Sequence, residues 1–457
     1  MIIARHLPEI KSLIVSRVRN SAFGWYLQAI LLGILNHRGR MSAHQATSCV
    51  VGDTRHRANL GRFLSRHGER LQLLNTRIAR RWLKSKGKSG QYVFIVDATN
   101  VSHQGAHQEN TISTGNRQRR PRTGRRYSKY RRASKSFHAT VWGILLTPQG
   151  ERLPFYQGVL TKKYCEKHSL VYRSQADLAA EMVRALPLPP EAQVVVLGDT
   201  AFESKQLRAA CAERHYTWIA PANPERVLAG EKPRPKVWSL VESFQSSQFA
   251  TVRLDPSVGK YVAMRRLSPT RSKSQKHMRT FYVHEEKRTL HSIGEARLVF
   301  STKQLNPKGT LLTREQTKIL LTNHPNATAK EIVELYLLRW QIELFFKELK
   351  SELGMHQYRF REWQRVNAWI EVYCFTMLYL ERVRSKRVGD ERLTKKQREK
   401  WKHYRTHGIV QAVRTKLELD QIYELQQCVS TPSGIRKLKR QLKQLPQREY
   451  QSNDMNS

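Results

Sequence analysis

The stretch YLLRWQIELFFKELK, from Tyr336 to Lys350, carries the most informative pattern of the chain. It lies inside a segment, 329–353, whose apolar residues recur with the period of an α-helix. Thr328 and Glu331 have the spacing of a capping box at its start, and Gly354 can adopt the left-handed conformation at its end. We therefore predict one continuous helix over these residues.

One face of this predicted helix carries side chains of mixed charge. Tyr336, Arg339, Glu343 and Lys350 fall within an arc of about 60° when each residue turns the helix by 100°. A second polar face, which includes Glu348, is expected to meet solvent. Because a helix needs only one solvated face, the first face is predicted to meet a groove or an ionic ligand. The alternative is a surface helix with an intrahelical pair between Arg339 and Glu343.

Two further carboxylates follow apolar, β-branched runs. Asp97 comes at the end of such a run in QYVFIVDATN, and Asp199 does so in QVVVLGDTAFES. A buried strand of this kind places the residue at its end at the edge of a sheet. Either aspartate alone is equally typical of a turn at a strand end. Together with Glu343, the two favour the groove interpretation of the helix.

The spacing Y-x2-R-x3-E-x6-K resembles the signature of the DDE transposases of bacterial insertion sequences, specifically the large family numbered four. That family carries two aspartates at strand ends upstream of the glutamate, at positions that Asp97 and Asp199 match. The resemblance extends from about residue 92 to residue 380. It implies that the chain is a DNA transposase.

The resemblance also implies a divalent-metal site. Asp97, Asp199 and Glu343 would be the catalytic residues and would hold two Mg²⁺ ions, with Asp97 bridging them; Mn²⁺ is expected to substitute. Hard cations of this kind prefer carboxylate oxygens, whereas zinc would favour His or Cys. Two ions about 4 Å apart can activate the nucleophile, stabilise the leaving oxygen and neutralise the phosphoryl group.

Several residues are predicted to contact DNA. Arg339 and Lys350 would bind phosphates near the scissile bond, and Tyr336 and Trp340 would contact the DNA beside them. A basic segment, 117–135, contains ten Lys or Arg and no acid. Its predicted DNA-binding residues are Arg119, Arg120, Arg125, Arg126, Arg131 and Arg132. The alternative for this segment is a solvated, disordered arm, and both interpretations hold if the arm orders only on DNA.

The composition limits the kind of partner. Lys plus Arg number 81 and Asp plus Glu number 37, so the formal net charge is +44 and the sequence pI is about 10.5. Such an excess opposes compaction unless a polyanion neutralises it, although charge alone does not distinguish DNA from RNA or an acidic membrane. With 39% hydrophobic residues and nine Trp, the chain can bury a core, which excludes a purely disordered basic tail.

The cysteines and the apolar runs indicate the compartment. The five cysteines include no Cys-x-x-Cys pair, which supports neither a zinc knuckle nor a disulfide framework and fits a reducing cytoplasm. The longest early apolar run is too short to span a bilayer, and the N-terminus lacks the pattern of a signal peptide. We expect a cytoplasmic protein that does not bind membranes, and the resemblance to transposases of bacterial insertion sequences implies that it is bacterial and associated with the nucleoid.

The order of the predicted elements is strand, hairpin, helix, strand, which is the ribonuclease-H-like order. We predict an α/β fold with a ribonuclease-H-like catalytic core at 91–222 and 324–385 and a β-rich insert at 223–323. A helical DNA-binding domain precedes the core at 1–90, and a basic helical region with a polar tail follows at 386–457. Within 1–90, SAHQATSCV and TRHRANLGRFLSRHG resemble a helix-turn-helix of two short helices, with an ordinary helical bundle as the alternative.

The leading hypothesis is a transposase that cleaves DNA at the element ends and joins the freed 3′-hydroxyl to target DNA. Its expected substrate is double-stranded DNA, both the terminal inverted repeats and the target, and a homodimer in a paired-end complex is expected. Two alternatives stay open. The first is a catalytically inactive, domesticated DNA-binding regulator, and the second is a ribonuclease-H-like nuclease without strand transfer.

Overall fold

The computed structural model describes residues 7, 9–19, 21–36, 57–84, 90–103, 108–113, 136–230, 234–254, 279–305, 312–313, 315–403 and 406–436. These residues form a mixed α/β structure. The chain divides into two compact units, which we describe separately. The first comprises Met1–Leu74, Lys350–Phe360 and Gln364–Ser457, and the second comprises Asn75–Leu349 and Arg361–Trp363.

The strands of the described residues belong to the second unit and build one ten-stranded sheet. Their order in the sheet is β2-β3-β1-β5-β6-β10-β9-β8-β7, and β4 pairs with β3. The strands are β1 (Tyr92–His103), β2 (Ile112–Ser113), β3 (Ser136–Leu146), β4 (Arg152–Gly158), β5 (Val194–Leu197), β6 (Thr217–Pro221), β7 (Ala250–Leu254), β8 (Arg279–Leu290), β9 (Gly294–Thr302) and β10 (Thr317–Thr322).

The helices of the described residues occur in both units. They are α1 (Ile10–Leu13), α2 (Ser16–Arg19), α3 (Ala22–Asn36), α4 (Arg57–Lys84), α5 (Lys162–Lys167), α6 (Gln175–Arg184), α7 (Lys205–Glu213), α8 (Val237–Ser243), α9 (Ala329–Leu337), α10 (Trp340–Lys347), α11 (Trp363–Val388), α12 (Lys395–His403) and α13 (Thr406–Val429).

The central strands pair as their apolar composition predicts. β1 runs antiparallel to β3, and β3 runs antiparallel to β4, which confirms the hairpin predicted to follow the first strand. β5 lies parallel to β1 and to β6, and all four of its residues are buried. Gly143 on β3 is required because a side chain there would meet the Phe94 ring at 2.2 Å. The apolar runs that precede Asp97 and Asp199 are therefore adjacent central strands.

Strands of the predicted insert, 223–323, continue the same sheet. β10 pairs antiparallel with β6 on one side and with β9 on the other, and β9, β8 and β7 follow as an antiparallel series. The run KYVAMRRL of the predicted β-rich insert lies outside the described residues. In the ranges that the structure describes, β10 is thus the strand that joins this region to the central sheet.

The single helix predicted over 329–353 is wrong in its continuity. The capping box of Thr328 and Glu331 is confirmed, and Gly354 has φ +73°, but the helical segment divides into α9, α10 and a π-helical turn, Glu348–Glu352. Between α9 and α10 the backbone NH of Arg339 donates to the carbonyl of Tyr336, three residues back. This tightened turn and the wider π turn shift the angular positions that a constant 100° per residue predicts.

The prediction that Glu348 faces solvent is also wrong. Its side chain is 8% exposed and forms an ion pair with Arg152 of β4, with 3.1 Å between Oε2 and Nη1. Glu348 keeps helical backbone angles, φ −61° and ψ −48°, so the expectation fails because β4 covers this face of the segment through Arg152. The ion pair attaches the end of the helical segment to the sheet within the second unit.

The first unit is helical in its described residues. α4, of which residues 57–74 belong to this unit, runs without a break for 28 residues, so the short second helix predicted at 54–68 is wrong in length. The apolar period continues past Gly68 through Ile78 and Trp82 with no proline to stop it. The first helix of the predicted helix-turn-helix lies outside the described residues. Side chains of α11 supply much of the buried core of this unit, including Trp369, Tyr373, Phe375 and Tyr379.

Two further expectations concern cysteines and membranes. Cys165, Cys211 and Cys374 are buried free thiols, which agrees with the expected lack of a disulfide framework at these positions. Among the described residues, no helix combines the length and the apolar character needed to cross a membrane.

We predict that Glu348→Gln lowers the free energy of unfolding by about 2 kcal/mol, because it leaves the Arg152 guanidinium without its charged partner at a site with little solvent. The matched control is Glu334→Gln on α9, a half-buried carboxylate, which should change stability by no more than about 0.5 kcal/mol. Urea denaturation of both variants measures the difference. Equal midpoints for the two variants would contradict the assigned role of Glu348.

Candidate active site

Asp97 lies within β1 and opposite Trp142 of β3. Residues that pair directly across antiparallel strands project from the same face of the sheet, so Asp97 and Trp142 share a face. The Asp97 carboxylate accepts a hydrogen bond from the backbone NH of Ala98 at 2.7 Å through Oδ1. Its side chain is 15% exposed, which leaves one edge open to a ligand.

Asp199 follows β5 by two residues and begins a 3₁₀ turn, Thr200–Phe202. Its Oδ1 accepts hydrogen bonds from the backbone NH groups of Ala201 at 2.9 Å and Phe202 at 3.2 Å. Ile95 of β1 lies opposite Leu197 of β5 in the parallel pairing. Continuing this register by two residues brings Asp199 beside Asp97. The expected strand end is wrong for Asp97, since β1 continues for six residues beyond it, whereas β5 ends two residues before Asp199.

The chain just after Asp199 is fixed by a buried ion cluster. The Glu203 side chain is 1% exposed and forms ion pairs with Arg208 and Arg226. Arg226 also donates to the Ser292 hydroxyl at 2.9 Å. A carboxylate that is buried away from water is stable only when cations or hydrogen-bond donors pair with it. These ion pairs therefore hold the turn after Asp199 to the strands that follow.

Glu343 reaches the same region because α10 packs on the sheet. The Phe345 ring lies 5.4 Å from the Trp142 ring in an edge-to-face arrangement, and both side chains are fully buried. Trp142 is the strand partner of Asp97. Glu343, two residues before Phe345, is therefore held near Asp97 although the two lie far apart in the sequence.

Arg339 bridges two of the three carboxylates. Its Nη1 lies 3.3 Å from Asp97 Oδ2, and its Nη2 forms an ion pair with Glu343 Oε1. The intrahelical pair between Arg339 and Glu343 is thus present, and the same guanidinium also contacts the sheet. The helix face that carries Arg339 and Glu343 packs towards β1, so it is not a free surface face.

Repulsion and burial perturb the charges of this cluster. Loss of solvent raises the pKa of Asp97 to about 6, and the negative charge of Asp199 and then of Glu343 adds to the rise. The hydrogen bond from Ala98 and the positive charge of Arg339 oppose it only in part. Burial likewise raises the pKa of Tyr336 to about 12, so its phenol stays neutral. The site thus holds more negative charge than its own residues balance.

The sequence analysis missed Lys318, the second residue of β10. Its Nζ lies 5.1 Å from the centroid of the Tyr336 ring, and Cζ of Arg339 lies 6.0 Å from the same centroid. Burial of the ammonium group and the charge of Arg339 lower the pKa of Lys318, whereas Asp199 and Glu343 act to raise it. A lone charged residue at the start of the apolar run ILL was the available signal, and it is weak without the fold.

Other predicted site residues have the following places. Trp340 is the first residue of α10 and is half-buried. Lys350 lies on the π turn, in the first unit, and burial lowers its pKa. The predicted DNA-binding arginines of the basic segment, namely Arg119, Arg120, Arg125, Arg126, Arg131 and Arg132, lie outside the described residues.

The chemistry of the carboxylates fits a hard divalent cation. Asp97, Asp199 and Glu343 supply only oxygen donors, and the raised pKa of Asp97 marks a place where added positive charge is favourable. In the described part of the chain, no three His, Cys, Asp or Glu side chains are grouped closely enough to hold a metal ion as they stand. Arg339 supplies the positive charge between Asp97 and Glu343 in this arrangement.

Two family models match the chain. Residues 167–380 match the model described as transposase DDE domain, and residues 15–240 match the model described as DDE superfamily endonuclease. The first range includes Asp199 and Glu343, and the second includes Asp97 and Asp199. No curated protein matches the chain. The two matches support a DDE transposase family.

We predict that Asp97→Asn stabilises the fold at pH 7.5 by on the order of 2 kcal/mol, because ionised Asp97 is disfavoured there. The proton that Asp97 binds more tightly in the folded state stabilises it fully below about pH 4, and this contribution is lost as the pH rises through about 6. The advantage of the variant should therefore vanish on acidification. Chemical denaturation of both proteins from pH 4 to pH 7.5 measures it.

The control for this experiment is Asp177→Asn. Hydrogen bonds from Ser174 lower the pKa of Asp177, so its removal should reduce stability at pH 7.5, the opposite sign. If Asp97→Asn were no more stable than the natural protein at pH 7.5, the assigned charge imbalance would be wrong.

Proposed function

From the family matches and the carboxylate cluster, we propose that the chain is a DDE-type DNA transposase that cleaves DNA at the ends of an insertion sequence and joins the cut ends to target DNA. The observation that carries the proposal is the ion bridge from Asp97 through Arg339 to Glu343, with Asp199 beside Asp97. Three carboxylates and an arginine, from three segments of the chain, meet beside the middle of β1 and the end of β5. No structural role of the sheet requires this collection of charges.

Asp97, Asp199 and Glu343 would hold Mg²⁺, two ions in all, and Mn²⁺ would substitute. When bound, the ions would activate the attacking oxygen, stabilise the leaving oxygen and neutralise the phosphoryl oxygens. Arg339 now shares its guanidinium between Asp97 and Glu343. Metal binding would compete with these ion pairs and would free the guanidinium for a phosphate, which it can bind through two parallel N–H groups.

The remaining side chains would position DNA. Tyr336 stays neutral, so its hydroxyl can donate a hydrogen bond to the DNA beside the carboxylates. Trp340 and Lys350 would contact DNA next to the scissile phosphate, and the arginines of the basic segment 117–135 would follow its backbone. Contacts to phosphates give affinity and register without reading the sequence.

The strand order supports a ribonuclease-H-like core. β4, β3 and β1 form an antiparallel series, and β5 and β6 continue it in parallel with β1, as that core requires. The signature of Tyr336, Arg339, Glu343 and Lys350 supports the finer proposal, membership of family four. The active assembly would be a homodimer on two paired element ends in the bacterial cytoplasm, associated with the nucleoid.

The reaction products separate this function from its two alternatives. Purified protein is incubated with Mg²⁺ and a supercoiled plasmid that carries the element with its terminal inverted repeats. A transposase excises and inserts the element, a nuclease without strand transfer cuts without joining, and an inactive DNA-binding regulator binds without cutting. Omission of Mg²⁺ should abolish cleavage, and Mn²⁺ should restore it.

We predict that Glu343→Gln lowers formation of the joined product at least about 100-fold. Loss of a residue that hydrogen-bonds to a metal ligand lowers activity about 10- to 100-fold, and loss of the ligand itself should lower it no less. Binding to end DNA should survive, since a negative charge near the phosphates has been removed. The matched control is Glu334→Gln on α9, which should retain activity within about twofold. Equal rates for the two variants would remove Glu343 from the catalytic site.

A further inference from the structure

Lys318 is held by the sheet beside the carboxylate cluster. β10 has hydrogen-bonded neighbours on both sides. Lys318 lies opposite Ser301 of β9, and the pairing with β6 begins two residues further along, at Leu320. A strand inside a sheet has little freedom, so the Lys318 backbone is fixed with respect to the central strands. Only the side chain can move, and its Nζ lies against the Tyr336 ring at 5.1 Å.

The Tyr336 ring has two cations around it with different partners. Arg339 is engaged by Asp97 and Glu343. Lys318 forms no ion pair with any residue of the described ranges, and as a whole residue it is exposed. A cation near an aromatic ring gains about 0.5–1 kcal/mol at an exposed site, which is too little to explain a lysine placed next to an arginine of the same charge.

The surrounding carboxylates explain the position of Lys318 only in part. Asp199 and Glu343 attract its ammonium group, whereas Arg339 repels it and the surrounding protein displaces water. The net effect is a pKa of Lys318 below that of a lysine in solution. Once divalent cations were bound, they would neutralise Asp199 and Glu343, which would then attract Lys318 less. An anion other than these carboxylates would then be needed to balance Lys318.

We propose that Lys318 binds a backbone phosphate of the DNA strand that enters the carboxylate site. This inference rests on the proposed transposase function. The region between the second aspartate and the glutamate thereby contributes a DNA contact through its last strand, β10. Lys318 Nζ and Arg339 Cζ lie 5.1 and 6.0 Å from the centroid of the Tyr336 ring, so the two cations are near enough to each other to bind neighbouring phosphates.

The experiment uses full-length protein and a duplex that carries the terminal inverted repeat. Lys318→Met keeps a side chain of similar length against Tyr336 and removes the charge, and Lys318→Arg keeps the charge. Lys330→Met, an exposed lysine on α9, is the matched control. Binding is measured against salt concentration both without divalent cations and with Ca²⁺, a hard cation for the carboxylates that replaces Mg²⁺ to limit cleavage.

Lys318→Met should weaken binding about tenfold and reduce the slope of log K against log salt by about 0.9, the value for one phosphate contact. Lys318→Arg should bind like the natural protein. Duplexes with a single neutral methylphosphonate near the cleavage position locate the contact. At one phosphate position, the methylphosphonate should weaken binding by the natural protein. The same methylphosphonate should not weaken binding by the Lys318→Met variant any further.

Additive effects of Lys318→Met and every methylphosphonate would overturn the assignment, as would an equal loss of binding in Lys330→Met. Cleavage of the same duplex by the natural protein with Mg²⁺ is measured in parallel. If the natural protein cuts and joins DNA while Lys318→Met keeps the full salt slope, only the Lys318 assignment fails. If the natural protein neither binds nor cuts the duplex, the proposed function fails and the assignment with it.

Discussion

The packing of Phe345 against Trp142 is the contact on which the candidate site depends. Trp142 is the strand partner of Asp97, and Phe345 lies two residues after Glu343, so one buried aromatic contact holds the two carboxylates in the same region. The parallel register of β1 and β5 adds Asp199. Apolar packing therefore supplies the energy that brings like charges together, and the charges themselves oppose the arrangement.

That opposition is the physical basis of the proposed metal site. The pKa of Asp97 rises to about 6 because burial and its acidic neighbours outweigh Arg339 and the Ala98 hydrogen bond. Most of the carboxylate is nevertheless ionised at neutral pH, so it can bind a metal ion at little cost in proton release. Arg339 supplies partial balance through pairs with Asp97 and Glu343, and an exchange of this guanidinium for metal would place a positive charge where a phosphate needs it.

Local patterns in the sequence were sufficient for several elements. The two apolar runs were identified as strands, the capping box at Thr328 is present, and the spacing of Arg339 and Glu343 was read correctly as one face. Glu348 could not be placed, because a helical wheel does not show that β4 covers this face of the segment through Arg152. Lys318 could not be found either, since its place beside Tyr336 depends on how β10 pairs with β6 and β9.

Calorimetric titration with Mn²⁺ tests the central claim most directly, which is that the three carboxylates form one metal site in competition with Arg339. The account predicts that the natural protein binds Mn²⁺, that Asp97→Asn and Glu343→Gln lose this binding, and that Arg339→Ala binds several-fold more tightly. Arg173→Ala, which removes an arginine paired with Glu181 elsewhere in the second unit, should bind like the natural protein. Unchanged Mn²⁺ affinity in both Asp97→Asn and Glu343→Gln would contradict the account.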